Sequence, residues 1–254
     1  VFLQITFLGT GTSHGIPVIA CDCETCQSNN PKNKRNRTSI HIKSEKYNLL
    51  IDTPPEMRLE LVNNNIKRVD AVLMTHAHAD HIMGFDDIRA LNWYQEKEMP
   101  VYADKNTLEH IRRIYSYIFS DHNLGGGVPQ VILKEIETSF KLQDLNIKSV
   151  PIYHGDNLIL GYRINNFAYL TDCSKIPEES YKLLKGIEYA AVDALRYKEH
   201  PTHMSVDQAV ELVNKLGLKH GYLTHMSHRL EHEELADYLP DNVSPAYDGL
   251  VIEV

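Results

Sequence analysis

The chain has 254 residues, 43% of them hydrophobic, enough for a sizeable core, and this excludes an intrinsically disordered protein. The formal net charge is -8 with histidine neutral, which argues against a long polyanionic partner, because proteins that grip nucleic acid by its phosphates carry a basic face. No apolar run reaches membrane-spanning length.

The N-terminal stretch VFLQITFLGTGTS sets Phe2, Gln4 and Thr6 in alternation with Leu3, Ile5 and Phe7, the pattern of a first strand. It is too short for a signal peptide and lacks a basic start and a cleavage-like sequence, so the cytoplasm is the expected compartment. A chain opening at Val is expected to have lost an initiator Met or a short leader. Strands are predicted at Gln4–Leu8, Ser39–Lys43, Asn48–Asp52, Ala71–Met74 and Val101–Ala103. Further strands are predicted at Ile147–Ile152, Leu158–Ile164, Phe167–Leu170, Tyr189–Val192, His220–Leu223 and Leu250–Val254. Helices are predicted around Leu108, Ile111 and Tyr115, over Val206–Leu216, and at Leu235–Leu239. Ser205 and Gln208 form an S-x-x-Q capping box ahead of the second of these. Several strands in succession, then helices and strands mixed, point to two sheets with helices outside them, in one domain over residues 1–254.

THAHADH, Thr75 to His81, follows the apolar strand AVLM and so stands where a strand gives way to a loop. At a period of two, His76 and His78 point the same way and can reach one metal, while Asp80 and His81 turn toward a second position. Imidazole and carboxylate together suit Zn, Mn, Fe or Ni. A lone H-x-H would read as a surface loop; H-x-H-x-D-H after a buried strand does not.

This signature resembles that of the metallo-β-lactamase superfamily of binuclear metal hydrolases. The resemblance implies an α/β fold, an αββα sandwich with the site at one edge between the sheets. It implies three further ligands, each just after a strand, and His154 after SVPIY, Asp172 after FAYLT and His225 after GYLT supply them in order. The early Asp that braces the metal loop matches Asp52 in LLIDTPPE. By the same resemblance His76, His78 and His154 hold one divalent ion, Asp80, His81 and His225 hold the other, and Asp172 bridges. Two such ions, roughly 3.5–4 Å apart, would share a hydroxide that attacks the substrate.

Three of the four cysteines fall in CDCETC, at Cys21, Cys23 and Cys26, a C-x-C-x-x-C spacing that suits a structural zinc lacking one ligand. Cys173 stands alone and reads as a small buried residue. The GTG start, the three-Cys knuckle, NRTS, GFDDIRALN and the late LTHMSH resemble the PhnP-type phosphodiesterases. That resemblance implies His228 as the fourth ligand of the knuckle zinc, and it makes a homodimer plausible.

HMSVDQA, from His203, is similar to a motif of phosphodiesterases such as RNase Z, in which the His assists the leaving group. An alkoxide leaving phosphorus needs a proton, and a His can donate one near neutral pH. The resemblance also implies a carboxylate that orients this His, here Asp193 in AVDAL, and Asp80, at the second metal, is counted with these two among the catalytic residues. His14, in GTGTSHGIP, is a candidate substrate contact. His41, sharing a strand face with Lys43, and His110 and His232, on polar helix faces, are expected at the surface. His122 precedes LGGGVP, whose Gly125–Gly127 reads as a loop or lid.

The function expected is metal-dependent hydrolysis of a small phosphodiester, linear or cyclic. An RNase Z-like nuclease is the alternative, disfavoured because only two strands fit between His154 and Asp172, leaving no room for a tRNA-gripping arm. A lactone or thioester hydrolase would not need His203. A PqqB-like protein shares the knuckle, but the complete ligand set favours catalysis, and a non-catalytic binding module would be expected to lack a ligand.

Overall fold

The structure is a computed structural model that describes residues 2–120 and 127–254. His122 and the first two glycines of the Gly125–Gly127 loop lie outside the described residues.

Six strands come first: β1 (Gln4–Gly9), β2 (Ser39–Lys43), β3 (Asn48–Ile51), β4 (Ala71–Leu73), β5 (Met99–Ala103) and β6 (Val131–Glu135). The next seven are β7 (Ser139–Leu142), β8 (Leu145–His154), β9 (Asn157–Ile164), β10 (Phe167–Leu170), β11 (Tyr189–Asp193), β12 (His220–Thr224) and β13 (Val243–Pro245). The last strand, β14 (Val251–Glu253), returns to pair with β1. Two seven-stranded sheets result, ordered β14-β1-β2-β3-β4-β5-β6 and β13-β12-β11-β10-β9-β8-β7. In each, one half is antiparallel and the other, β3 to β6 or β10 to β13, is parallel.

The strands are apolar on both faces because both faces are covered. Leu49, Ile51 and Leu73 face Ile147, Tyr162 and Phe167 between the sheets. Leu50, Val72 and Val101 point the other way, onto Met57, Ile88 and Ile111 of the outer helices Met57–Asn63, Ile88–Gln95 and Lys105–Ile114. Val192 and Leu223 do the same for the second sheet, against Ala209 and Val213 of the helix Val206–Leu216. That helix begins with the predicted capping box, Ser205 and Gln208 exchanging both bonds, and stops at Gly217, whose φ of 64° suits glycine. The layers are thus helix, sheet, sheet, helix, the αββα sandwich expected.

Three strands escaped the sequence reading. β6 and β7 have no fully buried residue and so no clean alternation. β13 holds Pro245, which a sheet edge tolerates because no ladder partner needs its missing N–H. His41 and His232 are corrections: each is only 4% exposed. His41 pairs with Leu50 and shares its helix-covered face, so the period-two rule points it into the structure. His232 packs against Tyr247 while its backbone N–H donates to Asn33 Oδ1 at 2.9 Å. Burial pushes both imidazoles down to about 4.

Candidate active site

The site collects at the ends of strands that run in parallel. β3 ends one residue before Asp52, β10 two before Asp172 and β12 one before His225. These three take φ values of 65°, 55° and 59°, the left-handed region that non-glycine residues seldom enter. Such conformations cost of order 1–3 kcal/mol each and persist where the surroundings over-determine them. Each sharp exit turns a side chain from the strand back across the sheet edge.

Asp52 is fully buried and holds the THAHADH loop from below. Its Oδ1 accepts from the Thr75 N–H and its Oδ2 from the Thr75 hydroxyl, both at 2.8 Å. Oδ2 also lies 2.8 Å from His81 Nδ1. Because the Thr75 hydroxyl spends its proton on Asp52, its lone pair is left for His76 Nδ1–H at 3.0 Å. One carboxylate therefore fixes two imidazoles with their Nε2 lone pairs free. His154 is fixed alike, its Nδ1–H donating to the Thr202 carbonyl at 2.9 Å. Gly84 lets the loop return: a Cβ there would come within 2.1 Å of the Pro54 oxygen.

Two ligand clusters form, His76 with His78 and His154, and Asp80 with His81, Asp172 and His225, the donor atoms within each lying within 4.8 Å of one another. His81 Nε2 is 3.2 Å from Asp172 Oδ2 and 3.4 Å from Asp80 Oδ2, and His225 Nε2 is 3.3 Å from Asp172 Oδ1. Yet Nε2 of His76, His81 and His225 are buried and make no hydrogen bond. Two nitrogen or oxygen donors about 2.1 Å from one ion at tetrahedral angles stand about 3.4 Å apart, so these are the separations of shared ligands. The charges agree. Burial would discharge His81 and His225, but Asp172 outweighs it, with Asp52 at His81 and Asp193 at His225, raising both, His225 to about 10. In return, burial pushes Asp80 and Asp172 up, but the two histidines overcome it and hold both below the usual carboxylate range. His76 and His154, where burial dominates, are lowered. A divalent ion would satisfy the same carboxylates without protonating a ligand, and the donor set fits one.

Beside these clusters, Asp193 at the end of β11 lies between two imidazoles. Its Oδ2 is 3.1 Å from His203 Nδ1 and its Oδ1 is 3.5 Å from His225 Nδ1. The His203 and His225 rings stack, centroids 4.7 Å apart. His203 Nε2 is thereby left as the free nitrogen, on a ring 4.8 Å from that of His154.

The cysteines form a third cluster. The sulfurs of Cys21, Cys23 and Cys26 lie 3.2, 3.5 and 3.6 Å from His228 Nδ1. Around zinc, a thiolate at about 2.3 Å stands about 3.5 Å from a nitrogen ligand. The four donors fit that ion. Buried Arg35 holds the backbone behind His228, its Nη1 donating to the Ser227 and Leu230 carbonyls at 3.2 and 2.8 Å.

Residues 47–226 match the family described as Beta-lactamase superfamily domain. The chain belongs to that superfamily. A solved diphosphatase of the PhnP family is similar to it at 39% identity and a TM-score of 0.93, over 100% of this chain and 98% of the other. An octanoyltransferase of Porphyromonas gingivalis is 37% identical over 98% of this chain and 51% of its own length. A ribonuclease Z of Thermococcus gammatolerans is 27% identical over 60% of this chain and 44% of its own length. The chain thus spans about half the length of these curated relatives. Within the superfamily it resembles the PhnP type.

All of the ligand positions expected of the superfamily are brought together, and His14 lines a cavity with His203 and His228. Cys173 is fully buried, its thiol pushed well up by burial. His110 shares a cleft with His78 and His154, so its helix face borders the site and is not merely solvated. The sequence reading missed His200, whose ring lies 5.4 Å from that of His203, and the brace from the Thr202 carbonyl. Proximity to HMSVDQA was the only signal for either, since a carbonyl leaves no mark in the sequence.

Proposed function

We propose that this protein is a binuclear phosphodiesterase acting on a small, linear or cyclic, phosphodiester. His76, His78 and His154 would hold one ion, Asp80, His81 and His225 a second, with Asp172 shared, while Cys21, Cys23, Cys26 and His228 would hold a structural zinc. When bound, the two divalent ions would neutralise phosphoryl charge and supply an activated water.

The observation that carries the reading is the Asp193–His203 pair beside the ligand clusters. With Nδ1 turned to Asp193, His203 presents Nε2 to the leaving oxygen and can give it a proton as the P–O bond breaks. A thioester leaves a less basic sulfur and has little need of such a group. The PhnP-family relative is described as a diphosphatase, and a diphosphate also breaks a P–O bond.

An RNase Z-like nuclease is less well supported. β9 and β10 occupy the chain between His154 and Asp172, and the net charge is -8. Acyl transfer, suggested by the name of the Porphyromonas gingivalis relative, lacks a cysteine nucleophile: Cys173 is buried and the other three cysteines belong to the knuckle. All four cysteines are unpaired, which suits a reducing compartment such as the cytoplasm. Among the described residues no helix is long and apolar enough to cross a membrane.

The test is metal-loaded protein with bis(4-nitrophenyl) phosphate, a lactone and a thioester. Diester turnover lost in His76→Ala supports the reading; turnover of the lactone or thioester alone would sink it.

A further inference from the structure

We propose that a cavity at the far end of the first sheet from the ligand clusters is a second binding site, one that takes a small molecule by its phosphate group. The proposal goes beyond the phosphodiesterase reading and stands apart from it, because none of the residues it uses belongs to the ligand clusters or to the Asp193–His203 pair.

The cavity, about 460 Å³, is lined by Gln4, Thr6, His41 and Lys43 of the sheet and by Lys67 and Arg68 of the segment after the helix Met57–Asn63, among others. Asn48, which opens β3, lines it too, whereas Asp52 follows the other end of that strand. The cavity and the catalytic edge therefore stand at opposite ends of β3. The outer face of the sheet changes character between them. Leu8 and Leu50 pack with Met57 and Leu61 of the helix, as a helix-covered face requires. Further along the same face of β1 come Thr6 and Gln4, opposite His41 and Lys43 of β2. A polar block replaces the apolar stripe there, although Thr6 and His41 are only 7% and 4% exposed. A face that needed only to be covered would be apolar.

His41 shows what the block lacks. Its Nε2 is buried and makes no hydrogen bond, a cost that a partner seated in the cavity would remove. Burial outweighs the Arg68 backbone and the Asn48 amide beside the ring, so His41 is neutral and brings a donor and a lone pair but no charge. The charge comes from the rim. Lys43 and Lys67 are exposed and form no ion pair among the described residues, in a chain that carries an excess of acid. Arg68 is fixed by its Nε, which donates to Asp70 Oδ1 at 2.9 Å, a bond that does not use its Nη donors. Glu45 is the one carboxylate among the described lining residues. Two ammonium groups and a guanidinium against one carboxylate, with an orphaned imidazole nitrogen between them, suit a phosphate group. The rest of the cavity, with the Gln4 and Asn48 amides in its wall, suits a hydroxylated body such as a sugar.

Nuclear magnetic resonance of zinc-loaded protein with nitrogen-labelled histidine tests this. The His41 signal, assigned by triple-resonance spectra, reports on this cavity and not on the ligand clusters. Glucose 6-phosphate and glucose serve as probes, because they differ only in the phosphate group. Glucose 6-phosphate at millimolar concentration should shift the His41 Nε2 resonance saturably, and glucose should leave it in place. In the Lys43→Gln/Lys67→Gln variant the Kd read from that shift should rise by about tenfold, since two charged donors are lost. Both lysines are exposed, so the variant should fold as the parent protein does. A His41 signal unmoved by glucose 6-phosphate, moved equally by glucose, or moved with the same Kd in the variant would overturn the proposal.

Discussion

His225 and His228 are three residues apart yet serve different clusters: His225 Nε2 lies 3.3 Å from Asp172 Oδ1, and His228 Nδ1 lies 3.2 Å from Cys21 Sγ. The left-handed turn at His225 and the anchoring of Ser227 and Leu230 on Arg35 point the two rings apart. His228→Ala should therefore release the knuckle ion and spare the ligands around Asp172, whereas His225→Ala should do the reverse. Loss of about 3 kcal/mol with the knuckle ion would lower Tm by roughly 10 °C at this chain length. Metal analysis and calorimetry of the two variants check this; the same ion lost from both would refute the division.

Asp52 touches no substrate, but it orients His81 directly and His76 through Thr75. Asp52→Asn keeps the size and loses the acceptor that fixes both tautomers. Removing such outer partners typically costs 10–100-fold in metal affinity or activity, so a loss of about 30-fold in metal affinity is expected. Competition with a chelator measures it. An affinity equal to that of the parent protein would mean that Asp52 only fills space.

Much of this was legible in the sequence because the expected ligands stand at or shortly after the ends of apolar strands, and strand ends are where chemistry gathers in such sheets. The capping box at Ser205 was legible for the same local reason. What stayed hidden was tertiary. The exposure expected of His41 assumed a strand with one solvent face, but the second sheet covers one face and helices cover the other. Arg35, a fully buried arginine that braces the late histidine motif, has partners almost 200 positions away, and nothing near it in sequence announces them.

His203 should matter in proportion to the basicity of the leaving group. His203→Ala is expected to slow a methyl or nucleoside ester by about 100-fold or more, the usual range for general acid catalysis, and a nitrophenyl ester far less. The rate plotted against leaving-group pKa should steepen in the variant. Equal losses across the series would assign His203 a positioning role instead. Asp193→Asn should fall between the two proteins, because Asn can still accept from Nδ1 but does not stabilise the charged ring.

Away from the site, Asp248 carries a pH dependence of stability. It is buried beside the first strand, accepts from the Asn36 N–H at 2.7 Å and the Thr10 hydroxyl at 2.8 Å, and is pushed up from 3.8 to about 7, burial being the main cause. Buried Glu60 is raised in the same way, again by burial first and then by Asp248. A carboxyl whose folded pKa lies above its unfolded one holds more protons in the folded state between those values. Its stabilising contribution is fully present below the unfolded pKa and is lost as pH rises through the folded pKa. Between pH 4 and 7 these two groups should therefore make stability fall as pH rises. Asp248→Asn removes one titration and lowers its pressure on Glu60, so denaturant unfolding across that window should show a shallower slope. A slope unchanged from the parent protein would place the Asp248 proton elsewhere.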